Sequence, residues 1–278
     1  MYYTSTRITV TTMAQRQHPV LVMLHGGGHG HPKYFEILQN MLQTEGFSIV
    51  SGTNPSDGGT NFTPGQSFYD DAAYWREKIL SVINNEQDVV LFMHSVAGPL
   101  GIEAAKGLGK ADRERSGKKG SVVHLIFLAG YLPNEGDHVF SFYDGTRANC
   151  PTRAAFRNVN GADVLDLLPF YDHFYSDLNK DERNYWKQYM SYQTPDFFTL
   201  PLTHATWKDV PCSWIYTELD EIIPVDIQRK GVLEAEIATG IPIRTFSLQS
   251  GHSPFLNMPD KLVEIVKTVY SENNLYAK

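Results

Sequence analysis

Asp88-Val-Val-Leu-Phe-Met-His-Ser-Val-Ala-Gly98 is the stretch that decides the fold. Residues 88–93 are a short apolar run without polar alternation, which predicts a strand buried on both faces. His94-Ser95-Val96-Ala97-Gly98 follows at once and leads into a helical pattern over 99–108. This strand–turn–helix setting places Ser95 at the tip of a sharp elbow, with its hydroxyl above the sheet. The helix starting there points free N–H groups and its positive dipole end toward any negative charge that develops at the serine. Met93 and Ala97 stand where small glycines usually let strand and helix approach. Alone, the segment therefore also suits a serine that merely caps a helix.

The same rhythm continues on both sides. Short β-rich runs at 19–24, 47–51, 122–128, 213–216 and 243–248 alternate with helical spacing at 34–44, 67–84, 99–108, 226–238 and 260–271. Such alternation predicts an α/β fold, a mostly parallel sheet flanked by helices. Residues 7–12 alternate and predict an added antiparallel edge strand. The rhythm breaks between 134 and 209, where aromatic residues crowd. A loop of that length needs structure of its own. It is expected to be a helical lid, or cap, inserted between core segments 1–133 and 210–278 of a single domain.

Three further stations also follow strands. The run 21–24 ends in His25-Gly-Gly-Gly-His-Gly30, where glycines free the backbone to aim N–H groups at an anion. Gly27 and Val96 are the expected oxyanion donors. Residues 213–216 lead to Glu218, Asp220 and Glu221, and residues 243–248 lead to Gly251-His252-Ser253. A serine hydroxyl needs an imidazole to take its proton, and the imidazole needs a carboxylate to fix its tautomer. His252 is the expected base and Asp220 the expected acid, with Glu218, Glu221 and Asp226 as rivals in the same segment. The chain order serine, acid, histidine is that of α/β-hydrolases and not of the other serine hydrolase folds.

Composition narrows the partners. The chain has 278 residues, a formal net charge of −7 and 42% hydrophobic residues. That leaves no broad positive field for nucleic acid or anionic lipid. The basic cluster at 110–119 is interrupted by Asp112 and Glu114 and reads as a solvated loop. With no signal-peptide pattern at the start and no apolar stretch of membrane-spanning length, a cytoplasmic protein is expected. His25, His29 and His31 have zinc-like spacing, yet no nearby carboxylate or cysteine completes a set, so neither metal nor cofactor is expected. Cys150 and Cys212 sit in no motif.

His25–Gly30, Met93–Gly98, Asp220-Glu-Ile-Ile-Pro224 with Gln228, and Gly251-His-Ser-Pro-Phe-Leu-Asn-Met-Pro259 together resemble the α/β-hydrolases related to plant methylesterases and hydroxynitrile lyases. Gly117-Lys-Lys-Gly120, Phe174–Leu178 and Trp207–Pro211 are similar to the fungal members in particular. The resemblance implies the α/β-hydrolase fold, Ser95 as nucleophile, Asp220 and His252 as its partners, and the N–H groups of Gly27 and Val96 as oxyanion hole. Ala97 departs from the family's usual glycine. Relatives of this kind also run lyase and biosynthetic chemistry on the same triad, so fold does not choose the reaction.

The expected activity is hydrolysis of an ester or lactone of a hydrophobic small molecule, such as a secondary metabolite, through an acyl-serine. The alternatives are C–C cleavage, cyclisation or lyase chemistry on the same triad, or a ligand-binding protein with weak turnover. His29, Phe170, Phe174 and Trp186 are expected at the substrate pocket. Nucleic acid and membrane are excluded as partners, and a homodimer is left open.

Overall fold

The computed structural model describes residues 18–58, 65–143, 156–159 and 161–275. The expected edge strand at 7–12 and Cys150 lie outside these residues. The elements are β1 (Val20–Leu24), α1 (Lys33–Thr44), β2 (Ile49–Ser51), α2 (Phe68–Ile83), β3 (Val89–His94), α3 (Ala97–Ala104), α4 (Lys110–Arg115) and β4 (Val122–Leu128). Next come β5 (Phe156–Val159), β6 (Ala162–Asp166), α5 (Tyr171–Phe174), α6 (Lys180–Lys187), β7 (Tyr192–Gln193) and α7 (Asp196–Thr199). The chain then closes with β8 (Cys212–Thr217), α8 (Val225–Thr239), β9 (Arg244–Leu248) and α9 (Pro259–Glu272).

Six of these strands form one sheet in the order β2-β1-β3-β4-β8-β9, and every pairing in it is parallel. Every residue of β1 and of β3 is buried, the signature of a sheet covered on both faces. Helix α1 packs with α9, and α2 with α3. After β2 the chain crosses back over β1 to form β3, so the loops leaving β1 and β3 diverge there. Such a switch point opens a crevice at the carboxyl ends of the strands. The glycine loop after Leu24 and the serine turn after His94 both lie at it.

Segment 134–209 is not wholly helical. Beside short helices it contains an antiparallel sheet in the order β5-β6-β7. Its strands have 4, 5 and 2 residues, too few for a strand period to stand out among aromatics. The reading of 110–119 as a solvated loop also needs correction. Residues 110–115 form α4, and the buried Arg113 guanidinium donates to the carbonyls of Gly120, Ile83 and Lys119 and to Asn84 Oδ1. One cation thereby ties α4 to the end of α2, a fixed use of charge that charge counting cannot distinguish from solvation. Among the described residues, no helix is long and apolar enough to cross a membrane.

Candidate active site

Ser95 sits at φ +59°, in the left-handed region that a non-glycine residue enters only at some cost. The turn is held on both sides. Ser95 N–H donates to Leu128 O at 3.0 Å, and Gly98 N–H donates to Ser95 O at 3.0 Å. The glycine loop presses against it, because a Cβ on Gly26 would lie 2.8 Å from Ser95 Cβ and 2.7 Å from His94 Nδ1. Close approach of elbow and glycine loop is thus a packing requirement.

One of the two missing elbow glycines, at Met93, is compensated in the helix that follows. Met93 fits because Gly101 of α3 faces it: a Cβ there would stand 2.2 Å from Met93 Sδ. Gly101→Ala is expected to lose about 1–2 kcal/mol of stability, the overpacking outweighing the better helix propensity of alanine. Denaturant melts of Gly101→Ala, Met93→Ala and the double variant check this. The double variant should cost less than the sum of the singles, and additive losses would show that the two residues do not share this space.

The loop after β8 presents Asp220, which is buried. Its Oδ1 accepts from the N–H groups of Ile222 and Ile223, each at 2.8 Å. Its Oδ2 accepts from Thr217 Oγ1 at 2.8 Å, from Gln228 Nε2 at 3.3 Å and from His252 Nδ1 at 2.8 Å. The rivals are engaged elsewhere or exposed. Glu218 pairs with Arg229 and accepts from Ser247 Oγ, Glu221 meets His173 at the surface, and Asp226 is exposed on the first turn of α8. The structure therefore brings Asp220, and none of these, to His252.

His252 is fully buried, and its Nε2 has no hydrogen-bond partner among the described residues. Its backbone is gripped from two sides. His94 Nε2 donates to His252 O at 2.9 Å, and Asp177 Oδ2 accepts from Gly251 N–H at 2.7 Å. Burial holds His94 well below the ordinary histidine range, so this ring is a neutral strut. Asp177 and Gln228 are positioning residues that the sequence did not single out for such roles. Asp177 belongs to the inserted segment, and its nearness to Gly251 depends on how that segment folds back.

The three histidines of the glycine loop each have a local partner. His25 Nδ1 donates to Gly26 O at 2.8 Å while its Nε2 accepts from Asn54 N–H at 3.0 Å. His29 Nδ1 donates to Gly27 O at 2.8 Å, and desolvation lowers its pKa to about 3. His31 Nδ1 accepts from Lys33 N–H. Among the described residues no group of three His, Cys, Asp or Glu is arranged to hold a metal.

Ser95, Gly27 and Val96 share one cleft with Tyr131, Leu167, Phe174, Phe198 and Ile222. Neither the Gly27 nor the Val96 N–H is engaged by another described residue. The cavity is only about 20 Å³, room for about one water. Of the expected pocket residues, Phe174 lines it. Trp186 is instead stacked on Tyr34 with centroids 5.5 Å apart, and Phe170 is half-buried in the turn Leu168–Phe170 outside the cleft. His29 is not among the lining residues; its ring lies 5.3 Å from that of Phe174 and its Nδ1 donates within the loop to Gly27 O. Tyr131, Leu167, Phe198 and Ile222 take the lining places: Tyr131 and Ile222 come from the core loops after β4 and β8, Leu167 from the end of β6 and Phe198 from α7 of the inserted segment. A larger groove of about 210 Å³ between Trp207 and Ile243 lies at the opposite end of the sheet, where β8 and β9 begin.

Three comparisons bear on the fold and the family. The chain is 25% identical over 255 residues to the alpha/beta hydrolase nvfD of Aspergillus novofumigatus, covering 91% of this chain and 97% of that protein. Its fold matches polyneuridine aldehyde esterase with a TM-score of 0.69 at 15% identity, covering 91% of this chain and 99% of the other. It matches the pyrethroid hydrolase PytH with a TM-score of 0.68 at 17% identity, covering 92% and 98%. The family model of the alpha/beta hydrolase family spans residues 21–265, and this chain belongs to that family.

Proposed function

We propose that this protein is a serine hydrolase that cleaves an ester or lactone of a hydrophobic small molecule through an acyl-enzyme. The observation that carries this reading is the buried Asp220–His252 pair, whose second imidazole nitrogen is left unengaged and whose backbone oxygen is held by His94, the residue that precedes the strained Ser95 turn. His252 Nε2 takes the Ser95 proton as Oγ attacks the carbonyl carbon, and Asp220 stabilises the imidazolium. The oxyanion forms toward the Gly27 and Val96 N–H groups. Collapse of the tetrahedral intermediate expels the alcohol, protonated by His252, and leaves an acyl-serine. Water deprotonated by His252 then releases the acid and restores Ser95. The residues complete this cycle without a cofactor.

The walls of the cleft suit an apolar substrate, but a cavity of about 20 Å³ admits none of any size. Leu167, Phe174 and Phe198 must move, which gives the inserted segment the role of a lid over the domain core. The protein works in the cytosol on this reading, with neither nucleic acid nor membrane as partner. The confined, apolar cleft also favours a second use of the same residues, with His252 as base for C–C cleavage or cyclisation that needs no water.

Labelling with a fluorophosphonate followed by peptide mapping tests the proposal. One adduct is expected, on Ser95, and its loss in His252→Ala. Absence of an adduct on Ser95 would remove the mechanism. A labelled Ser95 with no acyl-enzyme trapped on any ester would move the assignment to the second use.

A further inference from the structure

Gln193 is a residue beside the site that no step above uses. It ends β7, pairs with β6 at Leu165, and is 1% exposed. Its amide lies over the oxyanion glycine: a Cβ on Gly27 would stand 2.3 Å from Gln193 Oε1 and 3.2 Å from its amide carbon. Leu167 Cδ1 closes the same spot at 3.2 Å. Yet neither Oε1 nor Nε2 has a hydrogen-bond partner among the described residues, and both atoms are shut off from solvent. A leucine would fill this space without orphaned polar atoms. A buried amide without partners is costly, and keeping one against the glycine that faces the reacting carbonyl calls for a ligand that completes its hydrogen bonds.

We propose that Gln193 is the polar anchor for the substrate, taking an uncharged oxygen function, a hydroxyl or ketone, carried on the acyl part close to the scissile carbonyl. This rests on the hydrolase reading and gives its substrate class: oxygenated acyl groups are preferred over purely hydrocarbon ones of the same size. Position sets the distance, because the amide packs on Gly27 itself. Chemistry sets the neutrality. None of the residues lining the cleft is cationic, so a carboxylate would be desolvated there without a counter-ion. A ketone accepts from Nε2, and a hydroxyl can also donate to Oε1. Because β7 pairs with β6, which runs on to Leu167, the same hydrogen bond would draw the inserted sheet down over bound substrate.

The test uses methyl phenylpropanoate and its β-hydroxy and β-oxo derivatives. With the unmodified protein, kcat/KM should favour the two oxygenated esters by about tenfold, the worth of one good hydrogen bond. In Gln193→Leu and Gln193→Met that ratio should collapse to within about twofold, through a higher KM for the oxygenated esters. The melting midpoint of either variant should hold or rise, since orphaned polar atoms leave the interior. The same three esters are titrated calorimetrically onto Ser95→Ala, with and without Gln193→Leu. If nothing is turned over, the hydrolase reading fails, while the affinity ratio still reports on Gln193. A ratio near one in the presence of Gln193, or one that survives its replacement, would overturn the proposal. So would failure of both variants to fold, which would make the amide structural.

Discussion

Ser95→Ala and His252→Ala are each expected to lower kcat on a hydrolysed ester by about four to six orders of magnitude, and the double variant to lose little more than either. The reason lies in the proposed mechanism. Nε2 of His252 accepts the Ser95 proton there, and it makes no hydrogen bond to any described residue, so removing either residue removes one shared proton transfer. Neither change should unfold the chain. Ser95→Ala keeps the Cβ that packs against Gly26, although it keeps the left-handed strain as well. His252→Ala opens a hole beside Phe174, whose ring centroid is 5.3 Å from the imidazole, and should cost stability without disturbing the sheet. Single-turnover rates with a chromogenic ester, compared across the four proteins, check this. Multiplicative losses in the double variant would mean that the two residues act in separate steps.

The serine turn, the glycine loop, the acid loop and the histidine loop could be read from sequence because each follows a strand directly. A parallel sheet delivers its strand ends to one edge, and a switch point gathers them, so linear spacing becomes spatial proximity with few intervening choices. The choice of Asp220 over Glu218 lay outside that logic. It depends on the two backbone N–H groups of Ile222 and Ile223 turning back onto the carboxylate, which residue type alone does not signal. Met93 looked like a flaw in the elbow because its compensation, Gly101, lies across the strand–helix contact and is visible only in three dimensions.

The inserted segment was the least legible part, for a physical reason. Its aromatic residues announce burial but not direction. Trp186 turned to Tyr34, Phe174 to the cleft, and Phe198 arrived there from α7. Gln193 and Asp177 reach the site through contacts between residues far apart in sequence, on Gly27 and Gly251 respectively. No local period encodes such contacts.

Asp220→Asn should lower turnover by about four orders of magnitude while leaving the fold intact, and the hydrogen bonds around this side chain say why. Oδ1 accepts from two backbone N–H groups, so an asparagine must keep its oxygen there. Its NH2 group is then forced into the place of Oδ2, facing Thr217 Oγ1, Gln228 Nε2 and His252 Nδ1. An amide N–H at that position can only donate to Nδ1. The imidazole must respond by moving its proton to Nε2, the tautomer that cannot accept the serine proton. The Gln228 amide, now facing a donor, must also turn away, a smaller disturbance that Gln228 can absorb through its bonds to Thr217 and Ile223. The loss should fall on kcat, because no part of the change touches the walls of the cleft. Nitrogen NMR of the His252 ring should report the proton on Nδ1 in the unmodified protein and on Nε2 in Asp220→Asn. Glu218→Gln removes a surface pair with Arg229 and should change turnover by less than about threefold. A larger loss at Glu218 than at Asp220, or an unchanged tautomer with full activity in Asp220→Asn, would place the acid elsewhere.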